Sequence, residues 1–294
     1  MKKDLDCPYG ILDRDVICEH KFTRISLPRK ITLHNHDGYE ILLFLGGEAS
    51  IVVESEEKKL ERGDLVFISA YAFHGIGLID SDRYERIVID IRWNCLRELG
   101  EETADLTSCF SRTPAGKLNI LRLEEEDILT FTDLADRLED SLTSQAFGHG
   151  ILAKAYLSEL MVMACRLAST YTSPSYDNIM PSVVSKTFTY IDANLAAPLT
   201  VEQIAKEIHH NSDYLSRVFK DTTGGSLKQY INARKMFLAR QYLQQGYPPY
   251  EVCFMIGYNN YSSFSRRFSA QIGCSPKQYQ KTLGSAPETA RLTI

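Results

Sequence analysis

The sequence predicts a multidomain fold: an N-terminal all-β barrel with a following α-hairpin, then an all-α C-terminal domain of two helix-turn-helix units joined by a long helix. Three observations carry this reading. Between residues 22 and 93, short runs rich in β-branched and aromatic residues recur about every ten positions and are bounded by turn residues. From about residue 124 the apolar spacing changes to the three-and-four rhythm of amphipathic helices. In the last third of the chain one helical pattern occurs twice. A length of 294 residues suits two domains, each able to bury its own core.

The expected strands are Ile41–Leu45, followed by the turn Gly46-Gly47, then Ala49–Glu54, Leu65–Ile68 and Arg86–Ile91. In the last of these Ile87, Ile89 and Ile91 alternate with Val88, Asp90 and Arg92, so the two sets occupy opposite faces. The helical rhythm follows in Ile128, Phe131, Leu134, Ala135, Leu138 and Leu142, then in Ala155, Leu157, Leu160, Met161, Ala164 and Leu167. Ser173-Pro174-Ser175 and Asn178 lie in a small, polar stretch that reads as an interdomain linker. The expected organisation is a barrel over 1–115, a helical hairpin over 116–172, a linker over 173–182, the double helix-turn-helix domain over 183–285 and a tail over 286–294.

Composition narrows the class. With 44% hydrophobic and 24% charged residues the chain is an ordinary globular one, which excludes disorder and collagen-like repeats. Purely apolar runs such as Ile41–Leu45 are far short of the roughly 20 residues a membrane span needs, so no membrane partner is expected. Met1-Lys2-Lys3 leads into Asp4-Leu5-Asp6 without an apolar stretch, so no secretory signal is expected and the expected location is cytoplasmic. Cys7, Cys18, Cys95, Cys109, Cys165, Cys253 and Cys274 are odd in number and scattered singly, which reads as reduced thiols with neither a disulfide framework nor a zinc site.

The net charge of −5 seems to argue against an anionic polymer as partner, but it is an average. Residues 1–177 carry 20 basic and 31 acidic side chains (−11), and residues 178–294 carry 13 and 7 (+6). Any nucleic acid belongs with the second part.

That second part holds the repeat. Tyr214-Leu215-Ser216-Arg217-Val218-Phe219-Lys220, Gly224, Ser226 and Tyr230 match Ser263-Phe264-Ser265-Arg266-Arg267-Phe268-Ser269, Gly273, Ser275 and Tyr279. From the arginines onward the offset is a constant 49 (266−217, 279−230). Each copy reads as a short helix, a tight turn and a second helix. Thr200 with Gln203 suggests a capping box, and Asn211 and Asn260 are cap candidates for the two second helices. On those helices Leu215, Val218 and Phe219, and then Phe264, Phe268 and Ile272, face inward. Outward lie Asp213, Ser216, Arg217 and Lys220 in the first copy, and Tyr261, Ser262, Ser265, Arg266 and Ser269 in the second. A face of Arg, Ser and Tyr can hydrogen-bond base edges and phosphates in a major groove. Any amphipathic helix has a polar face, but duplication, basic charge and capped turns together favour double-stranded DNA as the partner.

From about Val183 to Lys281 the sequence resembles the DNA-binding domain of AraC-type bacterial transcription regulators. The residues that carry this are Leu199-Thr200, Ile204-Ala205, Tyr214 to Lys220, Gly224, Arg234, Ala239, Leu243, Ile256-Gly257-Tyr258, Phe264 to Phe268 and Gly273 to Tyr279. The resemblance implies base reading at Asp213, Ser216 and Arg217 in the first unit, and at Tyr261, Ser262, Ser265 and Arg266 in the second. Cys253 stands where the family usually has Ala, and Ser269 where it usually has Lys. The first departure still fits a packed site, whereas the second is expected to weaken one phosphate contact in the second unit.

The first domain contains His34, His36 and Glu40, then Gly47, and later Gly63 and His74, at the spacings of the two cupin motifs, with Ser69 and Tyr71 in place of that family's second-motif Pro and Gly. The resemblance implies a double-sheet jelly-roll barrel. In metal-bearing cupins such a set converges on Fe or Mn. The same residues, with Tyr39, would equally line a pocket for a polar organic ligand, or serve structure alone. The ligand pocket, at His34, His36, Tyr39, Glu40 and His74, is the preferred reading, and no stoichiometric metal is expected. Tyr39, Phe44, Phe67, Tyr71, Phe73 and Trp93 could wall a sugar site, but core packing is favoured for each.

The leading expectation is therefore a sequence-specific transcription regulator whose barrel senses a small molecule, with a carbohydrate as one candidate. No catalytic residues are assigned. The hairpin residues Leu152, Tyr156, Leu157, Leu160, Met161 and Met163 are candidates for a homodimer interface, equally well explained by packing on the barrel; RNA polymerase is a further candidate partner. The alternatives are a metal-dependent cupin enzyme with an accessory helical domain, which leaves the repeat unexplained, and a sequence-indifferent architectural DNA binder, which calls for more basic charge than +6.

Overall fold

Strands appear where the sequence alternates, and the computed structural model describes residues 9–10, 15–25, 33–36, 38–54, 56–70, 72–78, 81–100, 104–112, 118–170 and 181–284. The first unit runs through Met180 and the second begins at Pro181. In the first are β1 (Tyr9–Gly10), β2 (Val16–Ile25), β3 (Asn35–His36), β4 (Gly38–Gly46), β5 (Ala49–Val53), β6 (Glu56–Lys59), β7 (Asp64–Ile68), β8 (His74–Leu78) and β9 (Ser81–Arg92). Then come α1 (Trp93–Leu99), a 3-10 turn (Ser108–Phe110), β10 (Ile120–Arg122), α2 (Glu125–Thr143) and α3 (His149–Thr170).

Two antiparallel sheets form, one of five strands in the order β10-β7-β4-β9-β2 and one of three in the order β6-β5-β8. β4 is central and buried along nearly its whole length, both of its faces being covered, and apart from Glu40 it bears no charged residue. Its residues Leu42 and Phe44 pack inside the barrel with Ile51 and Val53 of β5, while Ile41, Leu43 and Leu45 face α2 and α3. Ile87, Ile89 and Ile91 of β9 share that outer core. β10 pairs with β7 through Ile120, Leu121 and Arg122, so the sheet extends beyond the boundary expected at residue 115. A three-residue edge strand carries too little periodicity to be seen in sequence.

The hairpin forms as expected and packs on the five-stranded sheet. Leu157, Leu160 and Met161 are fully buried there, which bears out the packing alternative for these three in place of the dimer interface: burying such a side chain within its own chain contributes about 1.5–3 kcal/mol. Tyr156 and Met163 are partly buried against the same core, and Leu152 stays exposed. Phe44, Phe67 and Phe73 are core residues, while Tyr71 and the Trp93 side chain lie outside the described residues.

The second unit comprises α4 (Ser182–Ala193), α5 (Val201–Glu207), α6 (Ser212–Thr223), α7 (Leu227–Gln244), α8 (Pro249–Met255), α9 (Tyr261–Ile272) and α10 (Pro276–Gly284). The repeat is visible in its caps. Asn211 accepts from the amides of Asp213 and Tyr214 at the start of α6, and Asn260 from that of Ser263 at the start of α9. Thr200 accepts from the Gln203 amide, forming the first half of the expected box. Reciprocal boxes stand 49 residues apart, at Ser226 with Gln229 and at Ser275 with Gln278. Each copy has its own core: Phe188, Leu215, Phe219 and Tyr230 in the first, Met236, Val252, Cys253, Phe264 and Phe268 in the second. Cys253 is fully buried, as its small size allows.

α7 joins the copies, as the sequence predicts. Its Lys235 is buried and donates to the carbonyls of Ala197 and Ile256 at 2.7 and 2.8 Å, tying the segment before α5 to the end of α8. Gly257 adjoins this tie with φ +72, and a Cβ there would stand 2.4 Å from the Ala197 backbone. None of the helices among the described residues is long and apolar enough to cross a membrane.

Candidate functional sites

Two places concentrate chemistry. In the barrel, β3 and β4 deliver His36 and Glu40, and the start of β8 delivers His74. His34 is bridged to His74 by two backbone hydrogen bonds of 2.9 Å each. Glu40 Oε2 lies 3.0 Å from His36 Nε2 and 3.1 Å from His74 Nε2. His34 and His74 rings are 4.3 Å apart, and one ligating atom from each of His34, His36, Glu40 and His74 falls within 4.8 Å of all the others. His34 is exposed and the rest are buried, so the cluster opens on one side.

Burial alone would raise the Glu40 pKa; the charges and hydrogen bonds of His74 and His36 outweigh it and hold the carboxyl well below the usual range. An ionised carboxylate among imidazoles can bind the hydroxyls or amine of an organic ligand, and the donor set also fits a divalent cation.

The sequence reading placed Tyr39 with this cluster, and the structure sets it apart. Strand alternation turns Tyr39 to the other face of β4, where it stacks on Phe110 at 4.4 Å within the outer core. The reading also missed Asp90, which lies directly opposite Glu40 in the β4–β9 register, with Oδ1 3.4 Å from His36 Nε2. Its signal was present: a carboxylate on the barrel face of β9, which had been read only as one face of an alternation.

The second site is the outer face of α6 and α9. Asp213, Ser216, Arg217 and Lys220 are exposed on α6; Ser262 and Arg266 are exposed on α9, with Tyr261 and Ser265 half-buried beside them. Ser269 is half-buried one turn further on. Inward residues hold these faces outward, Leu215 and Phe219 in α6 and Phe264 and Phe268 in α9. The Arg217 guanidinium sits 5.9 Å from the Tyr214 ring, which itself stacks on His210. Among the described residues no ion pair engages Arg217, Lys220 or Arg266. Arg234, by contrast, is paired with Asp192 at 2.6 Å.

Comparison with known proteins matches both halves. Residues 28–161 match an AraC-like ligand binding domain, and residues 204–282 a helix-turn-helix domain. The multiple antibiotic resistance protein MarA of Escherichia coli strain K12 is 31% identical over 94 residues, covering 32% of this chain and 74% of MarA. The transcriptional activator RhaR of Pectobacterium atrosepticum is 22% identical over 258 residues, covering 85% of this chain and 86% of RhaR. Among solved structures, unsaturated fatty acid bound ToxT from Vibrio cholerae strain SCE256 aligns over 93% of this chain and 98% of its own at 14% identity, with a TM-score of 0.40.

Proposed function

Because the chain belongs to the AraC-type family of transcription regulators, with a ligand-binding domain followed by a helix-turn-helix DNA-binding domain, we propose that α6 and α9 read base edges in successive major grooves and that the barrel cluster binds the effector. The observation that carries the first part is the duplicated, capped second helix with its arginine on the exposed face and, among the described residues, in no ion pair. Arg217 and Arg266 hold equivalent positions 49 residues apart, each on a face whose opposite side is locked into its own core. A guanidinium there can make the bidentate contact to guanine that discriminates bases.

The effector reading rests on the ionised, buried Glu40 between two imidazoles, open on the His34 side, with His34, His36, Glu40 and His74 as the binding groups and Asp90 added to them. A polar organic molecule with hydroxyl or amine groups, such as a sugar, matches that chemistry. The convergence of four ligating atoms supports a second reading: a divalent ion, when bound, would be held by these same four residues and would supply a Lewis-acid anchor for an effector oxygen. RhaR is a transcriptional activator, which supports activation here; RNA polymerase is then the expected further partner. A homodimer is part of the proposal, with exposed Phe147 in the hairpin turn joining exposed Ile151 and Leu152 near the start of α3 in place of the buried candidates.

The test uses operator DNA selected by the full-length protein from a random pool. Arg217→Ala or Arg266→Ala is expected to cost about 1–3 kcal/mol on the selected sequence and to relax base preference at one or two positions. An equal loss on selected and random duplexes would reduce both arginines to phosphate contacts.

A further inference from the structure

The sequence shows seven scattered cysteines, but the fold brings two of them together. Cys109 lies in the 3-10 turn and Cys165 on α3, 56 positions apart in the chain (165−109). Their sulfurs stand 3.7 and 3.6 Å from one and the same oxygen, the Leu106 carbonyl, which brings the two thiols together. Cys109 is 1% exposed, whereas Cys165 is half-buried. Of the other described cysteines, Cys18, Cys95 and Cys253 are buried, and Cys274 is half-buried.

We propose that Cys109 and Cys165 form an oxidisable dithiol, a modification site that a hydroperoxide converts to a disulfide tying the 3-10 turn to α3. The division of roles follows from the environment of each sulfur. Hydrogen bonds, that from Cys109 first and that from Ser108 after it, bring Cys165 down to about 6 despite burial. Burial, reinforced by Cys165, pushes Cys109 up. Cys165, half-buried, is thus the reachable nucleophile, and the buried Cys109 the resolving thiol.

The Cys165 sulfur attacks a peroxide oxygen; the S–O bond forms, the O–O bond breaks, and the departing hydroxide or alkoxide takes up a proton. The Cys109 sulfur then attacks the Cys165 sulfenic acid; the S–S bond forms, the S–O bond breaks, and the leaving hydroxide takes the Cys109 proton as water. Two thiols lose two electrons and one peroxide gains them.

The place of the pair gives the bond a consequence. Phe110, next to Cys109, packs on Tyr39 at 4.4 Å and on Phe67 at 5.7 Å, and its carbonyl accepts from Ser69. Tyr39 adjoins Glu40 in β4, so a shift of the turn reaches the strand that carries the effector carboxylate. Formation of the bond itself does not depend on what the barrel binds.

The experiment treats the reduced full-length protein with one equivalent of hydrogen peroxide, blocks the remaining thiols under denaturing conditions, and maps tryptic peptides without reductant. The expected product joins the peptides ending at Arg112 and Arg166 with loss of two hydrogens, disappears with dithiothreitol, and is absent from Cys109→Ser and Cys165→Ser but present in Cys18→Ser. A second measurement needs no variant: in the native protein near neutral pH, iodoacetamide should label Cys165 about tenfold faster than Cys274. Absence of the joined peptide, or Cys165 oxidised to the sulfinic acid without joining, overturns the proposal. So does labelling of Cys165 no faster than that of Cys274.

Discussion

Glu40 and Tyr39 are neighbours with opposite fates, and the difference between them is a strand's period of two. Both were read from sequence as pocket residues because they share a motif. The pleat sends Glu40 to His36 and His74, and Tyr39 to Phe110. What the sequence held was the motif spacing of His34, His36, Glu40 and His74; what it obscured was the face, since both sides of β4 are buried and apolar alternation vanishes. Asp90 escaped for a different reason: alternation on β9 is plain, but the register that sets Asp90 opposite Glu40 is a long-range pairing that alternation does not reveal. The consequence is measurable when polar metabolites, sugars among them, are screened by thermal shift against the full-length protein. A compound that raises the wild-type Tm should leave Glu40→Gln unshifted and should shift Tyr39→Phe as it does wild type. Retained binding in Glu40→Gln would move the effector elsewhere in the molecule. Elemental analysis of the same preparation is expected to find no stoichiometric metal, and iron or manganese near one per chain would transfer the site to the metal reading.

At the scale of elements, the long amphipathic helices were legible because periodicity, caps and breakers agree along them. α7 was expected over Ser226 to Gln245 and spans Leu227–Gln244, opening on the box at Ser226 and Gln229. The 3-10 turn, α1 and β10 were not legible: each is too short to show a period, and β10 exists only because β7 offers it an open edge. Nor could periodicity reveal why Lys235 lies on the buried side of α7. Its ammonium donates to the Ala197 and Ile256 carbonyls, and burial lowers its pKa to about 8. Between that value and the ordinary 10.5 the unfolded chain holds a proton that the native state has released, so raising the pH through this window stabilises the native state. Lys235→Met removes the titration and leaves both carbonyls without that donor, at about 1–3 kcal/mol for each unsatisfied group. In urea unfolding of the full chain the variant should be less stable at neutral pH, and the gap to wild type should widen from pH 8 to pH 10. A gap that narrows over that range would mean that the native ammonium stays charged.

For the whole molecule, the division into an acidic and a basic unit was readable from residue counts alone, −11 before residue 178 and +6 after it. The count misjudges how much of that positive charge faces outward. Arg234 is spent on Asp192, Lys235 on two carbonyls and Arg240 on the Tyr279 hydroxyl, so part of the basic excess of unit two holds α7 in place. Arg217, Lys220 and Arg266 remain on the outer faces of α6 and α9. A reader that shares its chain with an acidic domain should bind arbitrary DNA weakly, and specificity then depends on base contacts. The acidic unit repels phosphate over a range set by salt, about 30 Å at 0.01 M and about 8 Å at 0.15 M. Residues 181–294 alone are therefore expected to bind a random duplex more tightly than the full chain at the lower ionic strength, with the difference fading toward the higher. Titration of both proteins with a labelled random duplex at the two salt concentrations reads this directly. A difference that persists unchanged at 0.15 M would mean that the first unit acts on DNA binding through contact and not through its charge.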